Sequence, residues 1–159
     1  MPGTVVSIIV DGPLTPEALA EALLPHRADL ERVHATGNVG ATLRFDGIVR
    51  RMERDTKMSG EERALSHLEY QTYDPMAERE LRSLAASVCD RFGLLSIIAL
   101  HSRGLVAVGE VSFVLEVASA HRAEAIEAMP AFIDRLKQDV PIWKRAVWDD
   151  SPPATRVKR

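Results

Sequence analysis

A chain of 159 residues that is 46% apolar and carries a formal charge of -3 is long enough to bury one sizeable core, so residues 1–150 read as one soluble globular domain. The slight acidity argues against nonspecific nucleic-acid binding, and no apolar run nears the ~20 residues that a membrane span needs. A single cysteine, Cys89, excludes an internal disulfide and fits a reducing cytoplasm, and the five histidines lack metal-ligand spacing, so no metal or other cofactor is expected.

The opening MPGTVVSIIVDG lacks the basic region and cleavage site of a secretory leader, and its β-branched residues 4–10 predict a strand. In TPEALAEALL, Thr15 is a fitting N-cap and Pro16 a fitting first helical residue. Residues 25–38 are polar and end in TGNVG. The glycines there predict a turn, since a dinucleotide loop needs a third glycine packed against a strand. ATLRFDGIV (41–49) predicts a strand with Leu43, Phe45 and Val49 on one face, and Gly47 inside it predicts a bulge or a close backbone approach. Residues 50–64 are highly charged and aperiodic, which predicts a mobile loop.

A strand is expected at 65–73, after which Asp74-Pro75 opens the best-patterned helix. Ala77, Leu81, Leu84, Ala85, Val88, Cys89 and Phe92 form its apolar stripe, and Gly93 closes it. LLSIIAL (94–100) reads as a buried strand and EVSFVLEV (110–117) as a half-buried one. A helix follows over about 120–138, bent at Pro130. A short extended segment then carries Lys144, and residues 151–159 form a loose tail. The order β-α-β-β-α-β-β-α-β is that of an α+β domain with a mainly antiparallel sheet.

Four features bear on chemistry. Cys89 sits on an apolar helix stripe, where a thiol has a raised pKa and little access, so any sulfur chemistry would need sulfur from elsewhere. Ser119 reads as the N-cap of the last helix, with His121 and Arg122 in its first turn. Cations are misplaced at that dipole end unless an anion binds there; otherwise both side chains simply turn to solvent. Arg50 and Arg51 end a strand at a loop mouth, either as a solvated strand end or as part of a ligand site. Finally, sixteen of the twenty basic residues are Arg, yet two of the four Lys, Lys137 and Lys144, flank Pro141 within a few residues. Both could be ordinary surface charge. Gathered around one pocket with arginines, they would instead depress each other's pKa, as amine nucleophiles require.

GATLRFDGIVR, LEYQTYDPMAERELRSLA, a histidine-led turn HSRGLVAVGE, VASAHRAEAIEAM and DRLKQDVPIWKR, in this order between about Gly40 and Lys144, resemble the catalytic (large) subunit of molybdopterin synthase. The resemblance implies an α/β-hammerhead fold and a sulfurtransferase that converts cyclic pyranopterin monophosphate to molybdopterin. The sulfur would arrive as a thiocarboxylate on the Gly-Gly tail of a small ubiquitin-like subunit, in a heterotetramer built on a homodimer of the large subunit. It further implies that Lys137 and Lys144 are the catalytic pair, that Arg50, His121 and Arg122 hold the pterin phosphate, and that Phe45 lies beside them in a pocket drawing on both large subunits. The sequence departs from the family pattern where His101-Ser102-Arg103-Gly104 replaces His-Arg-x-Gly, where Ala146 replaces an acidic residue after the second lysine, and in a longer link over 25–38. Two other readings use the same residues: a non-catalytic module for a phosphorylated ligand, and a scaffold that only docks a ubiquitin-like tail.

Overall fold

In the computed structural model, which describes residues 2–57 and 60–150, the chain runs β1 (Thr4–Asp11), α1 (Pro16–Leu23), a 3-10 turn (Leu24–His26), α2 (Arg27–Ala35), β2 (Ala41–Ile48), β3 (Met52–Arg54), β4 (Glu62–Thr72), α3 (Met76–Phe92), β5 (Ser96–Ala107), β6 (Val111–Ser119), α4 (Arg122–Asp139) and β7 (Ile142–Trp148). The strands order as β2-β6-β5-β4-β3, with β1 added along β5 and β7 along β4. Only the β1–β5 pairing is parallel among the described strands, so the α+β reading with a mainly antiparallel sheet holds.

Side chains alternate across a strand, and β5 uses both faces. Ile97 and Ala99 join Leu81, Leu84, Val88 and Phe132 under α3 and α4, whereas Ile98 and Leu100 join Val6, Leu14 and Val114 under α1 and α2. Burial on both sides explains why this segment reads as a continuous apolar run rather than an alternating one. A third cluster, Val49, Leu65, Leu68 and Val106, holds the smaller sheet of β4, β5 and β7 together.

Most expected elements form where the pattern placed them. The Thr15 hydroxyl caps α1 by accepting from the Ala18 N–H at 3.2 Å, and α3 buries Ala77, Leu81, Leu84, Ala85, Val88 and Cys89 before ending at Gly93. The predicted irregularity at Gly47 is a register shift against β6. An added Cβ there would lie 3.3 Å from the Phe113 Cβ, so the approach is close and a larger residue would press on Phe113.

Several expectations are corrected. The polar link 25–38 contains α2, whose Leu30 reaches the apolar layer and anchors an otherwise hydrophilic helix. The expected loop 50–64 contains β3, paired with the start of β4 in a hairpin. Arg54 lies opposite Glu62 and Glu53 opposite Arg63, so charge complementarity across the ladder replaces the hydrophobic alternation that would have revealed a strand. The histidine-led segment is strand over most of its length and turns only at its end, at Val108 and Gly109. β5 continues through His101 to Ala107, changing partners from β6 to β4, and Gly104 at φ +90° allows the bend between the two sheets. Residues 58–59 of the expected loop, and the tail expected over 151–159, lie outside the described residues.

Candidate active site

A cavity of about 580 Å³ opens where the C-terminal end of α4 meets the ends of β2, β4 and β7. Four of the sequence-predicted residues line it: Phe45, Arg50, Lys137 and Lys144. Each arrives for a local reason. Phe45 and Arg50 flank the Gly47 irregularity, which lets the chain turn away from β6 into the hairpin. Ile133, Leu136 and Lys137 fall on one side of α4 at i, i+3 and i+4, with the apolar pair packed on the core and Lys137 at the helix end, where a cation is favoured. Lys144 shares a face of its strand with Ala146 and stands opposite Tyr70 of β4.

Glu53 ties the cationic side together. Its carboxylate accepts from the Arg50 guanidinium at 2.9 Å through one oxygen and lies 3.7 Å from the Lys144 amine through the other. Lys137 makes no ion pair with any described residue. The Lys144 side chain is 56% exposed and Lys137 is exposed as well, so a ligand or partner covering the cavity is needed to take either amine out of water. A second cavity, of about 430 Å³, runs along β3 and β7 towards Trp148 and shares Glu53, Leu68 and Lys144 with the first. Lys144 therefore borders both spaces.

Part of the lining of the main cavity is aromatic. Phe113 of β6 packs between Phe45 (6.2 Å between ring centroids), His101 (5.7 Å) and Phe132 of α4 (6.1 Å), and Tyr70 meets His101 edge-on at 5.1 Å. His101 is buried, and its Nδ1 lies 2.8 Å from the Ser102 carbonyl. A carbonyl can only accept, so Nδ1 carries the proton. Burial pushes the imidazole pKa below its ordinary value, so the ring is neutral at pH 7.

His121 and Arg122 are not at this cavity. They stand at the other end of α4, and at ~1.5 Å per residue Arg122 is about 22 Å along the axis from Lys137. The cap differs from expectation too. Ser119 is still in the β6 ladder opposite Ala41, fully buried, and its hydroxyl donates to the His121 carbonyl at 2.6 Å. His121 is the N-cap residue, with no side-chain bond to the helix, and Arg122 is the first helical residue. His121 and Arg122 still stand beside N–H groups that no side chain caps, and the helix begins two residues later than predicted.

The MoaE protein family model matches residues 20–139. The chain belongs to the MoaE family. It is 40% identical to the human molybdopterin synthase catalytic subunit over 60% of this chain and 51% of that protein. Of its length, 95% superimposes on 94% of a chain from the crystal structure of molybdopterin synthase of Staphylococcus aureus, at 25% identity and a TM-score of 0.63. A chain in a complex of subunits 1 and 2 of molybdopterin-converting factor from Helicobacter pylori has the same fold, with 24% identity and a TM-score of 0.64 over 91% of this chain and 90% of that one. The chain spans about half the length of the first curated relatives it matches.

Within this MoaE-family chain, the departures at Ala146 and Ser102 have structural readings. Ala146 is packed against the small-sheet core, and the carboxylate beside Lys144 comes instead from Glu53 on a strand that composition had concealed. Ser102 is fully buried, and its backbone carbonyl, not its side chain, accepts from His101. Arg103, the next residue, ion-pairs with Asp11 at 2.7 Å and with Asp74. Sequence reasoning missed Glu53, Tyr70 and His101 as lining groups; only the histidine at the head of HSRGLVAVGE was a visible signal.

Neutralising Glu53 should make the cavity more cationic. For Glu53→Gln, inorganic phosphate is expected to bind several-fold more tightly at low salt, an advantage lost as ionic strength screens it. Stability should change by under ~1 kcal/mol, because the broken pairs are largely exposed. Calorimetric titration at two salt concentrations, beside a denaturant melt, checks both.

Proposed function

We propose that this chain is the catalytic subunit of a molybdopterin synthase: a cytoplasmic sulfurtransferase that converts cyclic pyranopterin monophosphate to molybdopterin. The observation that carries the proposal is the convergence of Lys137, Lys144 and Arg50, from a helix end, a strand and a loop, on one cavity with an aromatic wall. Family membership supplies the reaction class, and the Helicobacter complex of two subunits supports a small-subunit partner. The thiocarboxylated tail of that ubiquitin-like partner presents an acyl carbon and a sulfur to the lysines. An ammonium polarises the acyl oxygen and donates a proton; once the sulfur bridges tail and substrate, the neutral amine accepts a proton from water or itself attacks the acyl carbon, so that the acyl C–S bond breaks and the sulfur leaves as the thiolate on the substrate. Two tails are consumed for each dithiolene. Lys144 borders both cavities, which suits a residue that meets the tail from one side and the pterin from the other.

Arg50 supplies a fork for the substrate phosphate, and Phe45 an aromatic surface beside it. His121 and Arg122 lie about 22 Å from Lys137 in the same chain, so their part in phosphate binding requires a second copy to bring its α4 N-terminus to the cavity. This is the reading in which the large subunit is a homodimer at the centre of a heterotetramer, with residues 1–150 acting as one unit in each copy.

Reconstitution tests the proposal. The chain is mixed with a thiocarboxylated small subunit and cyclic pyranopterin monophosphate, and dithiolene product is measured for wild type, Lys137→Ala and Lys144→Ala. Wild type should turn over, and each alanine variant should lose at least ~100-fold while still binding the small subunit. A folded wild type that binds both partners and yields no product overturns the reading.

A further inference from the structure

The aromatic wall carries hydrogen-bond information that the cationic side does not. The Tyr70 hydroxyl donates its hydrogen to Ser112 Oγ at 3.0 Å, and Ser112 in turn donates to the Gly47 carbonyl at 3.3 Å. The His101 Nδ1–H is taken by the Ser102 carbonyl, and Nε2 has no hydrogen-bond partner among the described residues. Every polar hydrogen on this wall is therefore already committed. What remains towards the cavity is lone pairs, on His101 Nε2 and on Tyr70 Oη. As bonded here, this surface accepts hydrogen bonds and has none to give.

Such a wall sorts the two ends of a ligand. A phosphate at neutral pH presents mainly acceptor oxygens and is repelled by lone pairs, so it belongs with Arg50 and the lysines. A heterocycle edge bearing ring N–H or amino groups has the opposite character. It is flat enough to lie along Phe45 and Phe113, and it can donate to His101 and Tyr70.

We propose that His101 and Tyr70 are specificity-determining residues, whose acceptors read the donor edge of the substrate's pterin ring and so fix the direction in which the substrate lies in the cavity. This rests on the synthase reading above for the identity of the substrate. The orientation has a consequence for the reaction. With the ring edge held on the aromatic wall and the phosphate on the cations, the carbons that receive sulfur are presented between the two, next to the lysines.

Binding to the full chain tests this with two variants. Tyr70→Phe removes only the hydroxyl and keeps the ring, whereas His101→Phe keeps an aromatic ring of similar size and removes both nitrogens. By titration calorimetry, cyclic pyranopterin monophosphate should bind ~3–10-fold more weakly to Tyr70→Phe and at least ~10-fold more weakly to His101→Phe, while inorganic phosphate binds both like wild type. In wild-type chain labelled with 15N-histidine, the His101 Nε2 resonance should shift on adding the pterin and stay in place on adding phosphate. That readout stands even where His101→Phe fails to fold.

Unchanged pterin affinity in folded variants, an equal loss of pterin and phosphate affinity, or an unmoved Nε2 resonance on saturation with the pterin each overturns the proposal. If wild type binds no pterin at all, the synthase reading falls as well. If wild type binds it and the variants bind it equally, only the orientation falls.

Discussion

Lys137→Arg and Lys144→Arg should each leave substrate affinity within about threefold of wild type and reduce product formation by ~100-fold or more. The two residue types carry equal charge and differ in one chemical respect. A guanidinium is never deprotonated in a protein, whereas an amine taken out of water can hold or release a proton. Arg in either position preserves the positive field over the cavity and its attraction for phosphate, and removes only the group that can exchange a proton or attack an acyl carbon. Glu53 is well placed to accept from an arginine at 144, since it already accepts from Arg50 at 2.9 Å. A lost ion pair would therefore not account for a loss of turnover in Lys144→Arg. The measurement is product formation in the reconstituted reaction together with substrate titration. A pocket that only binds a phosphorylated ligand would keep its affinity in both variants and yield no product even as wild type, and a groove that only docks a tail would yield none either. Full turnover in either arginine variant sinks the assignment of proton chemistry to that lysine.

Phe132→Ala should be the most damaging single change for stability, at about 3–5 kcal/mol. The ring is fully buried on α4 and stacks against Phe113, so its removal leaves a void beneath the cavity wall. Phe113 in turn contacts Phe45 and His101, and loosening it frees the acceptor wall from its support. Denaturant unfolding measures the loss, with Phe45→Ala as the comparison. Phe45 is 40% exposed, so its truncation should cost far less stability. Equal shifts in the two variants would mean that Phe132 is not the keystone of this layer. At intermediate denaturant, Phe132→Ala should also lose substrate binding before it unfolds, because the wall depends on it.

How much of this was legible in sequence differs by residue. The stripe from Ala77 to Cys89 declared α3 because its apolar positions repeat at helical spacing and a glycine closes them. Gly47 announced its irregularity because a residue without a side chain, set inside a strand pattern, marks a place where the ladder shifts or a neighbour comes too close for a Cβ. β3 was hidden because it is only three residues long, with two of its three pairs to β4 between opposite charges, which leaves little hydrophobic signature. Ser119 misled by two residues. A serine before a helix is a fitting cap, but this one stays in the sheet, where its buried hydroxyl has the His121 carbonyl to bind.

Composition and local pattern by themselves determined the α+β class, the burial of Cys89, and the presence of two unusual lysines at a helix end and in the extended segment after it. Those are properties of residue type and short-range spacing, which physical chemistry reads directly. Which groups share a cavity was decided only by the tertiary structure. Arg50 and Lys144 are joined by Glu53 across three chain segments, and His101 and Tyr70 become neighbours because β5 changes partners midway. His121 and Arg122, which the resemblance grouped with Arg50 in a pocket drawing on both large subunits, stand the length of one helix from the lysines of their own chain, because a rigid rod fixes its two ends as firmly as it joins them.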